Sequence, residues 1–241
     1  MKTLPQMPSS EDARPAGHAT ALASLNAAAA ALAVPLSAPQ ADTLIAYLAM
    51  LQRWNSTYNL TAVRDPAQML TQHLADCLAV IQPLRRFCGD TTRRLLDVGS
   101  GGGLPGVVIA AMNPLIDVTC VDAVGKKAAF VRQVAGELRL PNLHAEHARV
   151  EQLTLPPFDI VTSRAFASLA DFTRLTGRHL AANGAWAAMK GKHPAEEIDS
   201  LPPDVEVFHV EQLNVPGLNA ARCLVWMRAC PGQIGTKPAS L

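Results

Sequence analysis

The sequence predicts an α/β fold, in which a doubly wound, mostly parallel seven-stranded sheet follows an N-terminal cap of helices. Apolar residues recur at helical spacing through the first part of the chain, up to about residue 87. From residue 94, short apolar runs alternate with helical patterns, and a glycine-rich loop at 99–106 follows the first of these runs. Regular alternation of strand and helix is typical of a parallel sheet, because parallel strands need crossover connections.

The composition suits one large domain, or a domain with an accessory part, and allows a sizeable apolar core. The chain has 241 residues, of which 49% are hydrophobic, and its formal net charge is only +1. That charge argues against a strongly basic nucleic-acid coat protein, so any RNA contact has to come from local patches. The five cysteines are irregularly spaced without a CxxC pair, which argues against a disulfide framework or a zinc site and favours a reducing cytosol.

The helical cap is predicted to occupy residues 18–90, after a disordered extension at 1–17 that is rich in proline, serine and charge. The alanine-rich stretch 19–34 is better explained by a helix than by a secretion signal, because acidic residues precede it. A further helix is expected to begin at Pro66, with Asp65 as its N-cap. No run of about 18 strongly apolar residues occurs, so we expect no membrane span.

The sheet domain is predicted over residues 91–230 and is followed by a flexible tail at 231–241. Its strands are expected at 94–98, 116–121, 143–146, 158–163, 184–190, 205–212 and 222–228. Its helices are expected at 104–112, 125–139 and 168–181. The loop between the last two strands is too short for a crossover helix, so these strands should form an antiparallel hairpin at the edge of the sheet.

The glycine loop carries the dinucleotide fingerprint G-x-G-x-x-G at 101–106, and Asp122 stands about 20 residues further on, where a ribose-binding acid is expected. This pattern alone leaves NAD possible. Asp97 favours S-adenosylmethionine, because a carboxylate opposes a pyrophosphate but suits a sulfonium and an ammonium. Pro105 removes a backbone N–H that a phosphate would use, and no hydride-transfer residues follow.

Further cofactor contacts are predicted from the ends of the strands. Asp122 ends the second strand, where its carboxylate can accept hydrogen bonds from both ribose hydroxyls; capping the next helix is the alternative. Gly99 and Leu104 should flank the amino-acid end of the cofactor. Val150 and Glu151 follow the third strand, where an apolar wall and a polar contact for adenine are expected, although an ordinary surface loop explains them equally well.

The region after the fourth strand indicates which atom is methylated. It contains neither the Asp/Asn-Pro-Pro-Tyr/Phe motif of exocyclic-amine methylation nor the Pro-Cys pair of carbon methylation. A neutral lone pair such as guanine N7 needs neither, because no proton has to be removed. Arg164, at the exit of this strand, and Arg149, beside the adenine loop, are the candidate catalytic residues. An ion pair with Asp97 or Asp122 is the alternative.

In the glycine loop, after the fourth strand and in several motifs of the helical cap, the sequence resembles the glucose-inhibited division protein B family, the small-subunit ribosomal RNA methyltransferase G group. The shared strings are Arg53-Trp54-Asn55, Tyr58-Asn59-Leu60-Thr61, Arg64-Asp65-Pro66, His73-Leu74-x-Asp76, the loop motif at 97–106, Ser163-Arg164-Ala165-Phe166-Ala167 and Lys190-Gly191. The resemblance extends from about residue 25 to about residue 228. The chain departs from the family pattern only at its N-terminal extension and its short tail.

The resemblance implies a class I S-adenosylmethionine-dependent methyltransferase with a Rossmann-like sheet. It also implies methylation of N7 of a guanine in a hairpin loop of 16S rRNA, near the decoding region. By position it implies cofactor contacts at Gly99, Leu104, Val150, Glu151 and Arg164. The reasoning from the residues adds Asp97, Gly101 and Asp122 to that site.

Several residues outside the cofactor loop become candidates for RNA contact, because aromatics beside arginines can stack on an unpaired base and hold phosphate. The substrate-binding candidates are Arg53, Tyr58, Asn59, Arg64 and Lys190. Packing between the cap and the sheet explains Trp54 slightly better. His73 and Asp76 are expected to form a structural hydrogen-bond pair rather than a metal site. A phosphate rim is a further possibility for Arg85, Arg86, Arg93, Arg94, Lys126, Lys127 and Arg132.

Two other classes of function stay open at this point. The modest net charge favours a methyltransferase for a small metabolite, and the glycine loop alone is compatible with a noncatalytic nucleotide-binding module or an NAD enzyme. The expected partner is 16S rRNA or the small ribosomal subunit, with no metal and no membrane. We expect the protein to be a cytoplasmic monomer.

Overall fold

The computed structural model describes residues 16–164, 166 and 168–230, and it contains the predicted seven-stranded sheet. The strands are β1 (Arg93–Val98), β2 (Ile116–Asp122), β3 (Leu143–His147), β4 (Phe158–Ser163), β5 (Leu180–Lys190), β6 (Val205–Gln212) and β7 (Cys223–Ala229). Their order is β3-β2-β1-β4-β5-β7-β6. The first five strands pair in parallel, whereas β7 is antiparallel to both β5 and β6. The α/β class and the antiparallel hairpin at the edge are therefore confirmed.

The helices begin close to where the sequence predicts them. In the cap they are α1 (Ala16–Ala31), α2 (Ala38–Tyr58), α3 (Pro66–Met69), α4 (Asp76–Leu78) and α5 (Ile81–Cys88), with a π-helical segment, Leu70–Ala75, between α3 and α4. Those of the sheet domain are α6 (Gly106–Met112), α7 (Gly125–Glu137), α8 (Leu169–Thr176) and α9 (Ala195–Asp199). The predicted cap at Asp65 is present, because its side chain accepts a hydrogen bond of 2.8 Å from the backbone N–H of Gln68. The tail at 231–241 and the extension at 1–17, except Ala16 and Gly17 of α1, lie outside the described residues.

Helices cover both faces of the sheet, as the doubly wound class requires. Successive strand residues alternate between two apolar clusters, so that Leu95 faces one side and Leu96 the other. The first cluster includes buried residues of α1, α2 and α5 together with α6 and α7, and the second includes those of α8. Because the cap and the sheet share one core, the domain boundary near residue 90 stays a prediction.

Three elements, α8, β5 and α9, differ from the sequence-based expectation. The helix expected at 168–181 ends at Thr176, and β5 begins at Leu180 instead of residue 184 because Leu180 pairs with Phe158 of β4. Sheet pairing there outweighs the helical preference of an alanine- and leucine-rich stretch. Helix α9 was not predicted; it has no buried residues, so it carries no apolar periodicity.

The edge of the sheet that matters for the candidate site is the one formed by the carboxyl ends of the parallel strands, not the outer β6–β7 hairpin. The parallel strands β1 to β5 all end at this edge, and β7 begins there because it is antiparallel. The chain moves outward from β1 through β2 to β3 and then returns to place β4 on the other side of β1. Such a reversal opens a crevice at the carboxyl ends of the strands, where α/β proteins bind ligands.

Candidate active site

The glycine loop between β1 and α6 leaves its backbone open at this edge. Gly99 and Gly101 have φ angles of +67° and +60°, and a Cβ atom added at either would meet nothing within 4 Å. From the cap, the buried Tyr47 hydroxyl donates a hydrogen bond of 2.6 Å to the carbonyl of Gly102. The loop therefore has a fixed shape, needs glycine for its left-handed conformations, and presents free space beside its backbone.

Asp97 is fully buried at the base of this loop. Its Oδ2 accepts a hydrogen bond of 2.8 Å from the backbone N–H of Gly106, whereas its Oδ1 is buried and has no hydrogen-bond partner. Burial raises the pKa of Asp97 to about 7, although the bond from Gly106 and the charge of Arg164 act in the opposite direction. A buried acceptor without a donor is a group that a positively charged or N–H-bearing ligand can satisfy.

Asp122 holds the loop from the neighbouring strand. Its Oδ2 accepts a hydrogen bond of 3.0 Å from the N–H of Gly101, and its Oδ1 accepts one of 2.8 Å from the N–H of Val124. The expected alternative, a cap of the next helix, is wrong, because the N-cap of α7 is Val124. Each carboxylate oxygen can accept a second bond, so the ribose role of Asp122 stays a prediction.

The predicted adenine contacts follow β3. Val150 is buried in the second apolar cluster, while Arg149 and Glu151 are exposed on either side of it. Arg149 follows β3 and Arg164 follows β4, and two strands, β2 and β1, separate β3 from β4 by about 14 Å within the sheet. The structure therefore places the two candidate catalytic arginines at different ends of the crevice.

A cavity of about 400 Å³ lies at the ends of β4 and β5, and we call it the Asp76 cavity. It is lined by Val63, Gln72, His73, Asp76, Arg164, Met189, Lys190, Gly191 and Arg222. Arg164 donates a hydrogen bond of 3.0 Å to the carbonyl of Gln72, and its Nη1 lies 3.6 Å from Oδ2 of Asp76. The ion pair expected with Asp97 or Asp122 is thus wrong for Arg164, whose acidic partner is Asp76.

The predicted pairing of His73 with Asp76 is also wrong. Oδ1 of Asp76 accepts a hydrogen bond of 3.0 Å from Nε of Arg222, and Nε2 of His73 lies 2.9 Å from the hydroxyl of Thr61. His73 stands in the π-helical segment, where the wider turn changes which side chains share a face. Burial, together with the charge of Arg164, lowers the pKa of His73 to about 4, so its ring is neutral.

Arg222 is the residue that sequence reasoning missed. It directly precedes β7, and the antiparallel course of that strand brings it to the carboxyl edge of the parallel strands. The predicted hairpin contained this signal, because a strand that runs backwards begins where its parallel neighbours end. Lys190, at the end of β5, lies in the same cavity, and its Nζ is 2.8 Å from Oε2 of Glu197.

The candidates for RNA contact at the end of α2 form an exposed surface. Arg53, Tyr58, Asn59 and Arg64 are all exposed, and Arg64 donates a hydrogen bond of 3.0 Å to the side chain of Asn59. The Trp54 ring lies 5.3 Å from that of Phe130 in α7 and 5.0 Å from that of Tyr58. Trp54 thus packs the cap against the sheet domain, as expected.

The hypothesis of a phosphate rim fails for Arg93 and Arg94. Both begin β1 and therefore stand at the opposite edge of the sheet from the glycine loop. Arg93 forms an ion pair with Asp159, and Arg94 donates hydrogen bonds to the carbonyls of Pro156 and Pro157. Clusters of positive residues in the sequence do not distinguish the two edges of a sheet.

Residues 16–164, 166 and 168–230 contain neither a candidate metal centre nor a candidate membrane span. No group of three or more His, Cys, Asp or Glu side chains within that part of the chain could hold a metal ion. None of its helices is long and apolar enough to cross a bilayer.

The sheet order and the glycine loop define the fold of class I S-adenosylmethionine-dependent methyltransferases. A crystal structure of a SAM-dependent methyltransferase from Aquifex aeolicus matches with a TM-score of 0.50 at 17% identity, over 68% of this chain and 98% of that one. TrmN from Thermus thermophilus matches with a TM-score of 0.51 at 19% identity, over 67% of this chain and 53% of that one. At these identities the likeness concerns the fold.

The chain belongs to the rRNA small subunit methyltransferase G family. The sequence model of that family, described as "GidB: rRNA small subunit methyltransferase G", matches residues 40–225. A ribosomal RNA small subunit methyltransferase G of Leptothrix cholodnii is 65% identical over 85% of this chain and 94% of its own length. The protein of that name from Methylibium petroleiphilum is 60% identical over 84% of this chain and 92% of its own. The resemblance drawn from the sequence motifs is therefore confirmed.

Proposed function

We propose that the protein transfers a methyl group from S-adenosylmethionine to N7 of a guanine in 16S ribosomal RNA. One observation carries this proposal: an open glycine loop and a cavity lined by Arg164, Lys190 and Arg222 lie at the same edge of the sheet, where the parallel strands end. The loop suits the methyl donor, and the cavity suits an acceptor rich in oxygen and nitrogen lone pairs. The relatives named as ribosomal RNA small subunit methyltransferase G support the class of acceptor.

The residues of the loop fit S-adenosylmethionine, which supplies a methyl group on a positively charged sulfur when it is bound. The open space beside Gly99 and Gly101 lets a ligand contact backbone, with Leu104 at the other end of the loop. The unpartnered Oδ1 of Asp97 provides an acceptor for positive charge. In this proposal Asp122 accepts the ribose hydroxyls, Gly101 supplies the backbone beside them, and Val150 and Glu151 contact adenine.

The acceptor chemistry requires placement rather than proton removal. The N7 lone pair of guanine attacks a methyl group without a base, and the neutral His73 of the Asp76 cavity is consistent with that requirement. Burial raises the pKa of both Asp76 and Asp97, and the charge of the Arg164 guanidinium opposes this rise at both carboxyl groups. Arg164 thus links the two sites, and we assign it to orienting donor and acceptor; Arg149 would act at the adenine end.

The exposed surface at the end of α2 would hold the RNA around the target base. Tyr58 is 42% exposed and offers a ring for stacking, while Arg53, Arg64 and Asn59 offer contacts to phosphate or sugar. Lys190 would contact phosphate at the entrance of the Asp76 cavity. We further propose that the protein works as a monomer in the cytoplasm, without a metal ion.

The proposal is tested by methyl transfer from labelled S-adenosylmethionine to three acceptors: small ribosomal subunits, naked 16S rRNA and a pool of metabolites. We expect label in 16S rRNA, at a guanosine where borohydride reduction followed by aniline cleaves the chain, as it does at 7-methylguanosine. Label found only in metabolites would establish the alternative, a small-metabolite methyltransferase. Mass spectrometry of the purified protein adds a cheap control, because bound NAD would contradict the assignment of the donor.

A further inference from the structure

We propose that Asp76 and Arg222 recognise the Watson–Crick edge of the acceptor guanine and thereby leave its N7 free to react. This inference rests on the proposed function and adds to it the residues that select the base. Neither residue belongs to the glycine loop. They come from the cap and from the start of β7, and the fold brings them together across 146 residues.

The two side chains are joined by a hydrogen bond and retain further hydrogen-bonding capacity. Asp76 is only 4% exposed, and its Oδ1 accepts the 3.0 Å hydrogen bond from Nε of Arg222. Its Oδ2 lies 3.6 Å from Nη1 of Arg164, which is longer than a hydrogen bond of about 2.7–3.2 Å. Arg222 is 26% exposed. Within the described residues, its Nη1 donates a hydrogen bond to the carbonyl of the neighbouring Ala221 and to no other group. An acceptor and a donor thus stand side by side in the wall of the cavity.

This arrangement matches guanine and opposes adenine. The Watson–Crick edge of guanine presents the O6 acceptor beside the N1–H and 2-amino donors, so a guanidinium and a carboxylate can bond it at once. Adenine presents an amino donor and an N1 acceptor, which would face the guanidinium and the carboxylate with the wrong polarity. Enzymes that act on an extruded base commonly recognise it through this edge. The reacting N7 belongs to the other edge of the ring.

The position of the cavity suits such a base. Its volume of about 400 Å³ lies within the range of about 300–1,000 Å³ that small-molecule pockets have. It opens at the ends of β4 and β5, and β4 pairs directly with β1, from which the glycine loop leaves. Arg164 directly follows β4, lines the cavity, and has its Nη1 3.6 Å from Oδ2 of Asp76. Bases of RNA loops can be splayed out to enter such a cavity.

The test uses the full-length protein and an RNA in which only the recognised edge changes. Once the methylated guanosine is mapped, small ribosomal subunits are assembled with inosine at that position, which removes the 2-amino group and keeps N7 and O6. We expect the wild-type protein to methylate inosine with a kcat/KM lower by about tenfold or more. The variant Asp76→Asn keeps an acceptor for Arg222 but presents an amide donor to the base, so its preference for guanine over inosine should fall towards one.

The matched control is Asp171→Asn, which makes the same change in an exposed carboxylate paired with Arg174 in α8. It should keep the full preference for guanine. Equal rates of the wild-type protein on guanine and inosine would overturn the inference, even if Asp76→Asn failed to fold. An unchanged preference in a folded Asp76→Asn variant would also overturn it. A wild-type protein that methylates no subunit would instead overturn the proposed function, and the base recognition with it.

Discussion

The Oδ2 atom of Asp97 accepts a hydrogen bond of 2.8 Å from the backbone N–H of Gly106, across the whole glycine loop. The bond connects the end of β1 to the first residue of α6, so it fixes the two ends of the loop relative to each other. The second oxygen of the same carboxyl group is buried without a partner. One side chain therefore holds the shape of the loop with one oxygen and keeps the other without a hydrogen-bond partner.

The buried position of Asp97 predicts a dependence of stability on pH. Burial raises its pKa to about 7, so between about pH 4 and about pH 7 the folded protein holds a proton that the unfolded chain releases. Its contribution to the free energy of unfolding therefore falls as the pH rises through this window. The variant Asp97→Asn, which cannot ionise, should become more stable relative to wild type over the same range, by more than about 1 kcal/mol.

Urea unfolding at a series of pH values measures this difference. The control is Asp171→Asn, because the hydrogen bond from Arg174 lowers the pKa of Asp171 and places its titration below the window. Its stability difference from wild type should stay flat. Parallel pH profiles of Asp97→Asn and wild type would contradict the titration of Asp97 in the folded state.

The close approach at Gly106 predicts that even a methyl group is too large there. A Cβ atom would lie 2.4 Å from Sγ of Cys120 and 2.9 Å from Oδ2 of Asp97. We expect Gly106→Ala to lower the free energy of unfolding by about 1–3 kcal/mol, and Cys120→Ala to restore part of it by removing the nearest atom. Chemical denaturation checks both changes.

Gly136 provides the matched control for this substitution. It lies in α7, where a Cβ atom would meet nothing within 4 Å. Because alanine favours the helix, Gly136→Ala should stabilise the protein by about 0.5–1 kcal/mol. A Gly106→Ala variant as stable as wild type would show that the loop adjusts to the added methyl group at no cost.

Local patterns in the sequence predicted most of the fold and the position of the glycine loop at the end of β1. Strand β1 shows why: apolar residues lead directly into Asp97 and the glycines, a signal contained in a dozen consecutive positions. The position of Asp122 at the end of β2 is predicted for the same reason, because it ends an apolar run. The position of a polar residue at the end of a buried strand follows from periodicity alone.

The side-chain contacts within the Asp76 cavity could not be predicted in this way. The contact of Asp76 with Arg222 joins positions 146 residues apart, and no local pattern specifies which distant charges meet. The π-helical segment at Leu70–Ala75 is a second obstacle to prediction. The spacing of His73 and Asp76 predicts that the two side chains share a face only if the helix has α-helical geometry. Tertiary packing, rather than the sequence motif, brings these side chains into one cavity.

Asp122 is expected to matter for binding the donor. Replacing it with alanine should lower the affinity for S-adenosylmethionine by about 2 kcal/mol, or about 30-fold, because charge-assisted hydrogen bonds to the ribose are lost. The N–H groups of Gly101 and Val124 lose their acceptor as well, so stability should also fall. Calorimetric titration and thermal unfolding measure the two effects separately.

Asp159→Ala is the control that distinguishes an effect on donor affinity from an effect on stability. Asp159 likewise accepts a backbone hydrogen bond, 2.8 Å from the N–H of Arg94, but it does so at the far edge of the sheet. This variant should lose stability and keep its affinity for the donor. If Asp122→Ala behaves in the same manner, Asp122 is a structural residue and the ribose assignment is wrong.

The two aromatic residues at the end of α2 should behave differently. Trp54 packs on Phe130, so Trp54→Ala should lower the free energy of unfolding by about 2–4 kcal/mol. Tyr58 is 42% exposed, so Tyr58→Ala should change stability little. It should raise the KM for small ribosomal subunits several-fold, which is the effect expected when about one stacking contact with a base is lost. Phe208→Ala, which removes a ring that is 39% exposed on β6, should leave KM unchanged. Equal KM values for the Tyr58 and Phe208 variants would exclude a stacking role for Tyr58.

Lys190 should exchange one anionic partner for another when RNA binds. Its Nζ lies 2.8 Å from Oε2 of Glu197, the same oxygen that accepts a 2.8 Å hydrogen bond from the N–H of Leu169 at the start of α8. We expect Lys190→Met to weaken binding of small ribosomal subunits and to reduce the dependence of log affinity on log salt by about one phosphate contact. Glu197→Gln, which removes the competing charge, should strengthen binding.

The control Arg174→Met removes a cation from the exposed pair with Asp171 and should leave the salt dependence as in wild type. Sedimentation at several salt concentrations measures all four proteins, and a wild-type slope for Lys190→Met would remove Lys190 from the RNA-binding surface.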